Sequence, residues 1–98
     1  MTLWDFFASY FHQDWMLDDA TADDVVARFL ADINHDATVR AQLAGAIRAF
    51  IARFTDDNAL RDALYRELGA FYDPRADGLS GREWLQRVAD QIEGKSSR

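Results

Sequence analysis

Two histidines stand beside carboxylates in this chain: His12 is two residues from Asp14, and His35 adjoins Asp36. An imidazole oriented by a carboxylate is a general base, provided that a nucleophile lies within hydrogen-bond reach. There is no cysteine, which removes thiolate nucleophiles, thiolate metal ligands and disulfides together. The hydroxyls on offer, Ser9, Thr38 and Ser80, carry no flanking pattern that marks a nucleophile. His12 falls among aromatic residues, where a hydrogen-bonded structural histidine is the expected state. Gln13 beside it has an amide able to lock the same loop. No catalytic residue is assigned.

Metal and cofactor chemistry fare no better. Two isolated histidines do not supply ligands at the paired spacing that a metal needs. The stretch Asp73–Trp84 has the outline of a calcium loop, but proline stands second and Arg75 third, where a carboxylate is wanted. Trp84 stands twelfth, in place of a bidentate Glu. Gly78 and Gly81 lack the lysine and the preceding strand of a phosphate cradle. No metal and no cofactor is expected. Asp73, Pro74, Asp77 and Gly78 read as turn residues chosen for backbone geometry, with Tyr72 and Arg75 beside them as exposed contacts.

The charge distribution is more informative. Met1 to Ala27 holds six acids (Asp5, Asp14, Asp18, Asp19, Asp23 and Asp24) and no Lys or Arg, whereas Arg28 to Arg98 holds eleven of each sign. The net charge of -6 therefore resides in the first third, which is also the richest in aromatic residues. Rings beside unpaired carboxylates suit a cationic macromolecular partner. An acidic chain repels phosphate backbones and anionic lipid, so direct binding of nucleic acid or membrane is not expected. Asp23 and Asp24 have a local explanation at a helix start. Asp14, Asp18 and Asp19 have none, and Trp15 beside them is a natural anchor.

These residues must be positioned by helices. The spacing predicts one from Leu3 to about His12, with Leu3, Phe6, Phe7, Tyr10 and Phe11 inward and Trp4 on the side of Phe7 and Phe11. Gln13–Ala20 reads as an ordered loop anchored by Trp15, Met16 and Leu17. Thr21, with Asp24 three residues on, caps a second helix whose stripe is Val26, Phe29, Leu30 and Ile33. Asp36 caps a third, with Val39, Leu43, Ile47, Phe50 and Phe54 inward and Arg40 and Arg48 opposite. A fourth runs from Asn58 to Leu68 and stops at Gly69. Pro74 forces the segment before it off the helical path. Ser80 and Glu83 form a capping box for the last, with Trp84, Leu85, Val88 and Ile92 inward. The expected fold is all-α: a single-domain bundle of about five short helices over residues 1–93, with a frayed tail at 94–98. No run approaches the ~20 apolar residues of a membrane span, and the N-terminus lacks the basic region of a secretory signal. A cytoplasmic location is expected.

Several of these residues also carry a family resemblance. Tyr10-Phe11-His12-Gln13-Asp14-Trp15, the acidic segment, the Val25–Leu30 helix, Tyr72-Asp73-Pro74, Asp77-Gly78-Leu79-Ser80 and Glu83-Trp84-Leu85 resemble the small helical immunity proteins of contact-dependent growth inhibition. The likeness spans about residues 3–92. It implies a non-enzymatic protein that binds the C-terminal toxin domain of a cognate effector in the cytoplasm and prevents self-intoxication. Such toxins are often nucleases, whose basic substrate surface an acidic inhibitor could cover. On this reading Asp14, Trp15, Asp18, Asp19, Asp23, Asp24, Tyr72 and Arg75 are the expected partner contacts. Tyr10, His12, Gln13, Pro74, Gly78 and Trp84 are assigned to the scaffold.

Two other functions compete. A helical adaptor or regulatory subunit unrelated to toxins would use the same aromatic first helix as a docking face, as a monomer or a homodimer. An enzyme would use His12 and Asp14. The toxin reading predicts a gene lying directly after the toxin-encoding end of a large secreted effector.

Overall fold

The structure is a computed structural model that describes residues 2–94, apart from the side chain of Asp18. Its helices are α1 (Leu3–Tyr10), α2 (Trp15–Asp18), α3 (Ala22–Asp32), α4 (Ala37–Ala52), α5 (Asp57–Arg66) and α6 (Gly81–Glu93), with a single 3-10 turn at Pro74–Asp77. The all-α class and the five longer helices are as the periodicity predicts, and no strand occurs among the described residues. The expected tail lies outside the described residues, save for Gly94.

Local chemistry explains most of the boundaries. Thr2 and Asp5 cap α1 reciprocally, Thr21 accepts from the Asp24 N–H, Asp36 accepts from the N–H groups of Thr38 and Val39, and Ser80 and Glu83 close a full capping box. Gly69 and Gly78 follow α5 and the 3-10 turn with φ of +67° and +75°, the left-handed region that glycine enters at little cost. α1 ends two residues earlier than expected, with the Phe11 N–H donating to the Phe7 carbonyl at 2.8 Å.

The long amphipathic α6 is the hub, packing most extensively on α4 and also on α5, α3 and the 3-10 turn. Its start is held from a distance. The Asp57 carboxylate, at the first turn of α5, accepts from the N–H groups of Gly81 and Arg82, both at 3.0 Å. Gly81 is required there: a Cβ would lie 2.7 Å from Leu60 Cδ2 and 2.9 Å from Arg61 Cγ. Its end is held by α4. Arg40 donates to the carbonyls of Ile92 and Glu93, and Arg48 bridges Asp90 and Glu93. The face of α4 that carries these arginines is thus a clamp on the C-terminus of α6, where cations meet the negative end of the helix dipole.

The aromatic residues of α1 form the core with partners distant in sequence. Phe6, Phe7 and Phe11 are fully buried. Phe11 meets Trp84 edge-on at 5.2 Å, and Tyr72 and Trp84 are 4.7 Å apart. Such offset and edge contacts add about 0.5–1.5 kcal/mol per pair beyond the area buried. Trp4 departs from the expected arc and is 56% exposed, its indole lying beside Gly69.

Candidate functional site

The two irregular connections come together. The Phe71 N–H donates to the Phe11 carbonyl at 2.7 Å, and the Trp15 indole N–H donates to the Phe71 carbonyl at 2.9 Å. These bonds satisfy backbone groups that lie outside any helix. The segment Tyr72–Asp77 is thereby laid against α2 and the start of α3. Pro74 is buried at the first position of the 3-10 turn, where its missing N–H costs nothing. Asp73 caps that turn by accepting from the Arg75 N–H, and its carboxylate is also gripped by the Arg75 guanidinium at 2.8 Å.

α2 sorts its residues onto opposite sides. Trp15 is 5% exposed, packed edge-on against Phe11 and Tyr72. It is a core residue, which corrects the expectation of a surface anchor. Met16 and Leu17, expected to pin the loop, are instead 69% and 84% exposed. The signal that could have found them is the Asp14-to-Asp18 stretch itself. One helical turn started at Asp14 cannot bury three consecutive side chains.

The acidic residues divide in the same way. Asp19 is almost covered, with Arg28 forked onto it at 2.8 and 3.0 Å, so it is neutralised by a base nine residues on. Arg28 also lies over the Tyr10 ring, 5.0 Å from its centre, and the Tyr10 hydroxyl donates to Asp32 at 2.7 Å. Burial and that carboxylate push the Tyr10 phenol up to about 12. Asp23 pairs with Arg87 of α6 at 2.6 Å, both half-exposed. Asp14 and Asp24 are exposed, and their carboxylates have no partner among the described residues. The side chain of Asp18 lies outside what is described. The unneutralised anionic surface is therefore narrower than the sequence implies.

The scaffold assignments are distinct from one another. His12 Nδ1 accepts from the Asp14 N–H at 3.1 Å, so the histidine meets the backbone of Asp14 and holds the turn. Gln13 is exposed and makes no side-chain hydrogen bond among the described residues, so the expected amide lock is absent. Tyr72, expected as an exposed contact, is half-buried on Trp84, and its hydroxyl donates to Asp77. Burial first, and then that carboxylate, raise its phenol well above the ordinary range. Arg75 is exposed, as expected.

Two grooves flank the ridge Phe71-Tyr72-Asp73. One, of about 500 Å³, runs along α5 past Arg61, Asp62, Tyr65 and Arg75. The other, of about 320 Å³, lies between Trp15–Ala22 and Phe71–Asp77. Phe71 is 43% exposed between them, edge-on to Tyr65 at 5.2 Å. Met16, Leu17, Phe71 and Tyr65 are large apolar groups that the fold leaves exposed. Sequence reasoning missed Phe71 and Tyr65, whose spacing reads equally well as inward.

The described residues form a small all-helical domain. More particularly, the family model described as CdiI immunity protein matches residues 1–92, and the chain belongs to that family. Membership implies immunity to a toxin of contact-dependent growth inhibition. No curated protein and no solved structure matches the chain.

Proposed function

We propose that the chain neutralises its toxin by binding the C-terminal toxin domain one to one in the cytoplasm, with no chemistry of its own. The toxin surface it covers is cationic, as on a nuclease that must hold a phosphate backbone. The observation that carries this reading is a pair of exposed carboxylates, Asp14 and Asp24, with no partner among the described residues, on a 27-residue segment without Lys or Arg. Their field steers a basic partner and accelerates association. Asp19 and Asp23 contribute charge at long range but are already paired, so their role is secondary. The exposed apolar groups of α2 and of Phe71 supply the contact area that charge alone does not.

A tight complex needs roughly 800 Å² from each partner, a modest share of the 5634 Å² this protein exposes. One face is enough. The testing experiment is co-purification with the C-terminal domain of the neighbouring effector, followed by nuclease assay with and without this chain. The expected result is a stable complex and loss of nuclease activity. A toxin domain that fails to bind, or one that binds and proves to have no nuclease activity, would overturn the corresponding half of the proposal.

A further inference from the structure

We propose that the groove between Trp15–Ala22 and Phe71–Asp77 receives one long cationic side chain of the toxin, an arginine or a lysine, as the anchor of the complex. This rests on the toxin-binding reading and names the chemistry of its contact. Trp15 and Tyr72 present rings to the groove, while exposed Met16 and Phe71 form apolar walls. Its lining carboxylates are Asp73, already gripped by the Arg75 guanidinium, and Asp77, and no Lys, Arg or His lines it among the described residues. The groove along α5 differs, because Arg61 and Arg75 stand in it beside Asp62 and Asp73.

Apolar walls edged by the Asp77 carboxylate match a side chain whose stem is hydrocarbon and whose head is a cation. The head would also gain from the face of an aromatic ring. A wholly apolar guest would strip water from the Asp77 carboxylate and return nothing. Asp77 retains capacity for such a guest. Asp77 accepts the Tyr72 hydroxyl on Oδ2 and leaves Oδ1 without a hydrogen bond from the described residues. At about 320 Å³ the groove falls at the small end of side-chain and ligand pockets.

Met16 is the position to test, because its exposure lets it change without unpacking the core. Affinity for the C-terminal domain of the neighbouring effector would be measured for the wild-type chain, Met16→Lys, Met16→Glu and Asp77→Asn, each checked for helical circular dichroism. Lysine at the mouth repels a cationic guest, and binding should weaken about 100-fold, while glutamate should leave it within about threefold. Asp77→Asn keeps an acceptor for Tyr72 but removes the charge, and should weaken binding about 10-fold. A toxin Arg or Lys whose change to Glu restores binding to Met16→Lys would identify the guest. Equal losses in the two Met16 variants would show an apolar contact, and no loss in either would place the interface elsewhere. Both outcomes overturn the cation groove and leave toxin binding standing. A wild-type chain that does not bind at all overturns both.

Discussion

Trp15 and Met16 are neighbours with opposite fates, and stability measurements separate them. Trp15 fills the space between Phe11 and Tyr72 and satisfies the Phe71 carbonyl. Trp15→Ala should cost about 3–5 kcal/mol in urea unfolding. Trp15→Phe, which keeps bulk but loses the hydrogen bond, should cost about 1–3 kcal/mol. Tyr10 provides a pH signature. Its folded-state phenol is raised from 10.0 to about 12. The stability it contributes is therefore complete below pH 10 and is lost as pH rises towards 12. Unfolding free energy measured across that window should fall more steeply in the wild-type chain than in Tyr10→Phe. The sequence identified both residues as important because large aromatics beside His and Asp are conspicuous. It could not say which face of a four-residue turn would be covered, since the carbonyl that accepts the Trp15 indole N–H lies 56 positions away.

Among the elements, the join between α5 and α6 is the most exacting. Burial pushes the Asp57 carboxyl up, but the N–H groups of Arg82 and Gly81 and the guanidinium of Arg61 together hold it below its ordinary value of 3.8. Its contribution to stability is present above that value and disappears as pH falls below it. Asp57→Ala should destabilise the protein by about 0.5–2 kcal/mol at neutral pH, as loss of a helix cap does. That difference from the wild-type chain should vanish in acid. Gly81→Ala should cost about 1–3 kcal/mol by overpacking against Leu60 and Arg61. Both effects would be read from chemical denaturation. The caps at Thr21, Asp36 and Ser80 were legible because donor and acceptor are three residues apart or fewer. Asp57 was not, because its partners are 24 and 25 residues away. For the same reason Arg40 and Arg48 read as a solvated face, although α6 ends against them.

At the scale of the whole molecule, the charge asymmetry was fully visible in the sequence and its distribution on the surface was not. Pairing removes Asp19 and Asp23 from the free set and, among the described side chains of the expected contacts, leaves Asp14 and Asp24. Reversing Asp19 would set a lysine against Arg28 and disturb the fold, so charge reversal belongs at the exposed pair. Asp14→Lys with Asp24→Lys should slow association with the toxin domain by about tenfold or more at low salt and flatten its salt dependence. The cost to stability should stay within about 1 kcal/mol, chiefly from losing a carboxylate in the first turn of α3.

Neutralisation by binding alone has a stoichiometric signature. Titrating this chain into a fixed concentration of the cognate toxin domain, with toxin activity as the readout, tests that most directly. Toxin activity should fall linearly to an end point at one immunity protein per toxin domain, reached without delay and reversed when the complex is separated. Complete loss of activity at a small fraction of one equivalent, growing with time, would mean that the chain turns over, and a binding-only account would be contradicted.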